Sequence, residues 1–213
     1  MIKKDLVWYV GYGSNINKGR FLSYIVGGRP EGSTKKYKGC RDTSIPIKDE
    51  PIILNHDFYF AKSSKVWNNG GVCFINIEEN KNTRTYARMY LITRQQLEDI
   101  AKQETSDDNY LKINFEDAII NGSTVFKQKS WYGKLIFLGI NRTYPIFTLT
   151  HENNIKDSTK PTNEYLRTII LGIKQIHTLT NSEIVKYFIQ KRGIKDFYTI
   201  EELDKIVDTI NNL

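Results

Sequence analysis

The apolar run from Leu6 to Val10 breaks at Gly11-Tyr12-Gly13-Ser14-Asn15, and a helical pattern carrying Phe21, Tyr24 and Ile25 takes over at once. A strand that must turn into a helix within so few residues leaves several backbone N–H groups outside both ladders, pointing into one small space. Glycine at Gly11 and Gly13 gives access to positive φ and lets a ligand approach the main chain closely. Such a turn can hold a carboxylate, a phosphate or a developing oxyanion. The other reading is a turn that needs glycine only to turn. Two common phosphate loops are excluded. GxGxxG fails at Ile16, and no GxxxxGK[ST] can be drawn from Gly11 to Arg20.

The remaining pattern is strands first and helices later. His56–Ser63, Val72–Ile77, Thr85–Ile92, Tyr110–Phe115, Leu135–Ile140 and Ile146–Leu149 read as strands, with Gly27–Ser33 and Asn68–Gly71 as loops. In the final third the helix starts are legible. Thr162 precedes a stripe of Leu166, Ile169, Ile170, Ile173 and Ile176. Thr180-x-x-Glu183 and Thr199-x-x-Glu202 are capping boxes, and Gly193 is expected to stop the helix before it. This order predicts an α+β protein. The last stripe, Leu203, Ile206, Val207 and Ile210, must be covered either by the rest of the chain or by a second copy, a homodimer.

With 213 residues, 39% of them hydrophobic, the chain can bury one sizeable core. No apolar run approaches the ~18–20 residues of a membrane span. Lys3-Lys4 before Leu6–Val10 is too short a pattern for a signal peptide, so a cytoplasmic protein is expected. Two cysteines, Cys40 and Cys73, make no disulfide framework. His56, His151 and His177 lack partners at metal-site spacing, so neither a metal nor another cofactor is expected. The formal charge of +7 raises nucleic acid as a partner, but the basic residues are scattered among acids. Lys35-Lys36-Tyr37-Lys38 is the nearest thing to a patch, and nucleic-acid binding is not expected.

A second feature is an acid in an apolar register. Thr93-x-x-Gln96 opens a helix with Leu97, Ile100 and Ala101 on one face, and Glu104 falls on that same stripe. Glu98 and Asp99 are expected to face solvent. An acid on an apolar face is costly unless something uses it, and burial raises its pKa towards the range of a general base. If the helix instead ends at Lys102, Glu104 belongs to the polar run Thr105-Ser106-Asp107-Asp108.

Tyr12-Gly13-Ser14-Asn15 after an N-terminal aromatic strand, Gln103-Glu104 after a strand and a helix, and Pro161-Thr162-Asn163-Glu164-Tyr165 together resemble the γ-glutamylcyclotransferase family. The resemblance implies a small mixed β-barrel with surrounding helices over residues 1–192; the helical pattern beyond it reads as an addition to that domain, a C-terminal extension at 193–213 packed on it. The resemblance also implies cyclisation of an L-γ-glutamyl group to 5-oxoproline, with release of an amine or amino acid and no cofactor. Carried over residue by residue, Glu104 is the catalytic acid/base. Gly11, Tyr12, Gly13, Ser14, Asn15 and Tyr165 contact a small-molecule γ-glutamyl substrate. Gly11 stands where many relatives have alanine, and Asn163 where proline is common. The segments Gly39–Asp42 and Trp67–Gly71 receive no role from the resemblance. A non-catalytic module that binds an acidic small molecule on the same scaffold is the alternative.

Overall fold

The structure, a computed structural model, describes residues 5–30, 35–106 and 111–210. The Lys3-Lys4 pair, the end of the Gly27–Ser33 loop, Asp107-Asp108 and Tyr110 lie outside the described residues. The chain forms two compact units. The first takes Met1–Gly11, Gly19–Glu50 and Arg88–Asn154, and the second takes Tyr12–Lys18, Pro51–Ala87 and Ile155–Leu213.

The first unit is organised by β1 (Leu6–Gly11), whose residues Val7 to Gly11 are all buried. Both edges of β1 are occupied. It runs antiparallel to β5 (Thr85–Thr93), from Leu6 opposite Thr93 to Gly11 opposite Arg88. It runs parallel to β8 (Tyr144–Thr150), with Trp8 opposite Ile146 and Tyr9 opposite Phe147. A strand covered on both faces reads as a continuous apolar run, which is why this one was legible in the sequence. Among the described residues the sheet order is β2-β5-β1-β8-β7-β6, with β2 at Lys48–Leu54, β6 at Ser123–Val125 and β7 at Lys134–Asn141. The protein is α+β with a mixed sheet, in agreement with the order of its elements. The two edge strands escaped the sequence reading. β2 contains Pro51, which an edge strand tolerates but which argues against a strand when only the sequence is read, and β6 has three residues.

Helix α1 (Lys18–Val26) brings Phe21 onto Tyr90, with ring centroids 3.8 Å apart and nearly parallel, and onto Tyr9 at 5.5 Å. Helix α2 (Arg94–Glu104) starts at the predicted capping box. Thr93 Oγ1 accepts from Gln96 N, and Gln96 Oε1 accepts from Thr93 N. Leu97, Ile100 and Ala101 are fully buried in the same core.

The opposite side of α2 corrects an expectation. Asp99 is buried at 8% exposure and accepts from the backbone N–H of Arg41 at 2.9 Å and from Arg41 Nε at 2.9 Å. Glu98 is half-buried and accepts from Ile113 N at 3.2 Å. Gln96 donates to the carbonyls of Asp42 and Ser44. The segment around Gly39–Asp42 therefore lies along α2 and covers the face that its own helix left polar. A second correction concerns Tyr110–Phe115. Leu111–Asn114 is not a strand, and Phe115 opens helix α3 (Phe115–Asn121), because Asn114 Oδ1 caps it by accepting from Asp117 N.

The second unit joins a two-stranded antiparallel sheet, β3 (His56–Ser64) and β4 (Gly70–Glu79), to three helices. These are α4 (Asn163–Lys174), α5 (Asn181–Ile189) and α6 (Ile200–Asp208), capped by Thr162, Thr180 and Thr199 as predicted. Phe58 packs edge-on against Phe60 and Phe188, and Phe60 against Tyr165. Leu203, Ile206 and Val207 of α6 are each at most 3% exposed, so their stripe is covered within the chain itself. Among the described residues no helix is long and apolar enough to cross a membrane.

Candidate functional site

The glycine turn belongs to the second unit from Tyr12 onward. Ser14–Ile16 forms a single 3-10 turn, closed by Ile16 N donating to Gly13 O at 3.0 Å and Asn17 N donating to Ser14 O at 3.2 Å. Neither glycine is there for positive φ. Gly11 ends β1 in its register with Arg88, and Gly13 has φ −96°. Gly13 is required by proximity instead. A Cβ placed on it would lie 3.1 Å from Cys73 Cβ and 3.2 Å from the Tyr165 hydroxyl. The expectation of a left-handed turn is thus replaced by one of close approach, and the neighbours concerned come from β4 and α4.

Tyr165, three residues into α4's capped start, is 3% exposed. Its hydroxyl accepts a hydrogen bond from Cys73 N at 3.1 Å. Burial pushes the Cys73 thiol well above its ordinary range, and its hydrogen bond with Tyr165 opposes that only in part. Cys73 is thus a neutral, packed thiol at physiological pH, no nucleophile. The structure accordingly brings Gly13 and Tyr165 together. Tyr12 is buried at 5% exposure and meets Phe58 edge-on at 6.4 Å, and Asn15 is buried at 6%. On the far side of the turn α4 comes close enough that a Cβ on Gly172 would lie 2.5 Å from Asn17 N.

Glu104 belongs to the first unit. It is the last residue of α2, with Thr105 as C-cap, so the helix does not stop at Lys102. It is half-buried. Its carboxylate acts on two phenols, Tyr24 of α1 and Tyr37, both at 3% exposure, with rings 4.2 Å apart. Tyr24 is held well above the usual tyrosine range, first by burial and then by the Glu104 charge. Tyr37 is raised by burial and by Glu104, while Arg20 opposes. The buried Arg20 guanidinium donates to the Tyr37 hydroxyl at 2.8 Å. Gln103 fixes the end of the helix by donating to Tyr24 O at 3.0 Å and accepting from Gly39 N at 3.3 Å.

This arrangement has a chemical consequence. Both phenols keep their protons at neutral pH, and a guanidinium cannot give its own up. Of these four side chains Glu104 is the one carboxylate. The sequence reading missed Arg20, Tyr24 and Tyr37 as its neighbours because they lie 67 to 84 positions away in the chain. Trp67 and Cys73, beside Tyr165, were missed for the same reason.

No family model matches the chain. Among curated proteins it is 32% identical over 197 residues to histone deacetylase 5 of Arabidopsis thaliana. That match takes in 85% of this chain but 30% of the relative, so the chain spans less than a third of that protein's length. Among solved structures it is similar to a gamma-glutamyl cyclotransferase, with a TM-score of 0.50 and 12% identity over 96% of this chain and 99% of the other. An uncharacterised protein from Homo sapiens follows, at a TM-score of 0.48 and 13% identity, over 96% of this chain and 99% of the other. The likeness to the cyclotransferase is one of fold, and this chain has that fold.

Proposed function

We propose that this chain is a γ-glutamylcyclotransferase-type enzyme. It would cyclise an L-γ-glutamyl group to 5-oxoproline and release an amine or amino acid, with Glu104 as general acid/base. The shared fold and the three motifs support the reading, and the observation that carries it is Glu104 itself. A carboxylate stands at the end of a well-capped helix, beside the phenols of Tyr24 and Tyr37, both of which burial keeps protonated at neutral pH.

In this mechanism the α-amine of the glutamyl group loses a proton to Glu104 and its nitrogen attacks the γ-carbonyl carbon of the same molecule. A five-membered ring closes and the carbonyl oxygen becomes an oxyanion. As the carbon–nitrogen bond to the leaving amine breaks, Glu104 returns the proton to that amine. Amine and carbonyl are already tethered, so holding the substrate folded supplies much of the rate. The backbone N–H groups of the Tyr12–Asn15 loop and the end of β1 at Gly11 would hold the glutamyl moiety or its oxyanion, and Tyr165 would orient it. A cytoplasmic location goes with this reading.

The test is 5-oxoproline release from a panel of γ-glutamyl amides, dipeptides and glutathione, with Glu104→Gln beside the native chain. Removing a positioned proton acceptor should lower turnover by on the order of 10²–10⁴. Glu79→Gln, on the exposed end of β4, is the control and should leave turnover unchanged. No product from any substrate, or a fully active Glu104→Gln variant, would overturn the proposal.

A further inference from the structure

The turn between β3 and β4 is fixed far more firmly than a surface connection requires. Asn68 and Asn69 both sit in the left-handed region, at φ 50° and 61°. Ser64 O accepts from Asn69 N at 2.8 Å, and Ser63 Oγ donates to Asn69 O at 2.8 Å. Gly71 N donates to Lys160 O at 2.8 Å, and neither following glycine has room for a side chain. A Cβ on Gly70 would lie 2.7 Å from Thr162 Cγ2, and one on Gly71 would overlap the Thr159 carbonyl. Left-handed non-glycine residues are uncommon and persist where the surroundings impose them.

What this turn holds in place is Trp67. Its neighbours Lys65, Val66, Asn68 and Asn69 are exposed, whereas its indole is half-buried, with its ring centroid 4.6 Å from that of Tyr165 at 51°. Tyr165 is anchored at its other end, where its hydroxyl accepts from Cys73 N and lies beside Gly13. Trp67 and Tyr165 thus make an aromatic corner next to the glycine turn, with the indole at its outer side.

We propose that Trp67 is a specificity-determining residue that packs against the amine part of the substrate, so that the preferred substrates are γ-glutamyl amides of amines with an apolar or planar body. This rests on the cyclotransferase reading. A glutamyl group is polar at its amine, its carboxylate and its amide, and such groups are matched by main-chain and charged partners. An indole face against a phenol ring is suited to the carbon body on the other side of the scissile bond.

The experiment compares γ-glutamyl benzylamide with γ-glutamyl methylamide in the native chain, Trp67→Ala, Trp67→Phe and the neighbouring control Val66→Ala. Dividing each variant by the native chain on the same substrate removes the difference in leaving-group reactivity. Trp67→Ala should lose on the order of tenfold in kcat/KM on the benzylamide, mostly through KM, from the lost ring packing. On the methylamide it should stay within about twofold, below what one lost ring contact is worth. Trp67→Phe should recover most of the benzylamide loss, and Val66→Ala should match the native chain. Equal losses on both substrates would show that Trp67 merely holds Tyr165 or the fold, and would overturn the proposal; so would no loss on either. If neither amide yields 5-oxoproline, the cyclisation reading fails separately. Calorimetric titration of the same two amides then decides on Trp67, and either absence of binding or affinities unchanged by Trp67→Ala would overturn its role.

Discussion

Asp99→Ala removes a carboxylate that holds the Gly39–Asp42 segment against α2, and the structure divides its effect into two parts. The first is the bond from the Arg41 backbone N–H, 2.9 Å long and only partly exposed. A hydrogen bond to a charged group contributes about 1.5–3 kcal/mol. The second is the ion pair with the Arg41 guanidinium at 2.9 Å, whose side chain is 49% exposed. Solvent screens such a pair, and it contributes about 0–1 kcal/mol. Asp99→Ala should therefore cost about 1.5–4 kcal/mol, which for a chain of this size lowers Tm by roughly 3–16 °C. Asp99→Asn keeps an acceptor for the N–H and loses the charge, and Arg41→Ala keeps the N–H and loses the guanidinium. Each of these should cost about 1 kcal/mol or somewhat more. Calorimetric melting of the four proteins at two salt concentrations separates the parts. The alanine loss should barely respond to salt, because the main-chain bond dominates it. An Asp99→Ala protein within ~1 °C of the native Tm, well under the smallest expected shift, would refute the assignment. So would an Asp99→Asn loss as large as that of alanine, which would place the stabilisation in the charge.

Two other expectations follow from the second unit. Gly172→Ala should gain about 1 kcal/mol of helix propensity. Its methyl, however, would press on Asn17 N and Ile16 Cγ2, both 2.5 Å away, and such overpacking costs typically ~1–3 kcal/mol. A net fall in Tm is expected, together with lower activity through the displaced Ser14–Asn17 turn; an unchanged or higher Tm would refute it. Lys191 lies over the Tyr187 ring at 4.4 Å, and burial brings its pKa down from 10.5 to about 8, with Asp57 opposing. Between those values the unfolded chain binds the extra proton, so the Lys191 contribution makes stability rise with pH across that window, and below it the folded state bears the full cost of the buried cation. Lys191→Met should accordingly raise Tm near neutral pH by more than it does at pH 10, and an advantage independent of pH would refute this.

The sequence by itself determined the features that depend on neighbours within one or two turns of chain. Thr93, Thr162, Thr180 and Thr199 cap helices because a side-chain oxygen needs only the N–H three residues on. β1 was legible because it is apolar on both faces, and the α+β class followed from the order of elements. Glu104 stood out because it broke a local period. What the tertiary structure decided depends on partners far apart in sequence. Asp99 and Glu98 have the spacing of solvated surface, and only the arrival of Arg41 and of Ile113 N turns them inward. Gly13 reads as a residue needed for its φ, whereas its requirement comes from Cys73 and Tyr165, which approach it from 60 and 152 positions away. β2 carries a proline and charges that argue against a strand, and an edge position is what lets it pair. Trp67 has no local pattern at all. It acquires meaning only when Tyr165 lies beneath it, because ring packing is a property of two distant segments meeting and leaves no trace in the spacing of either.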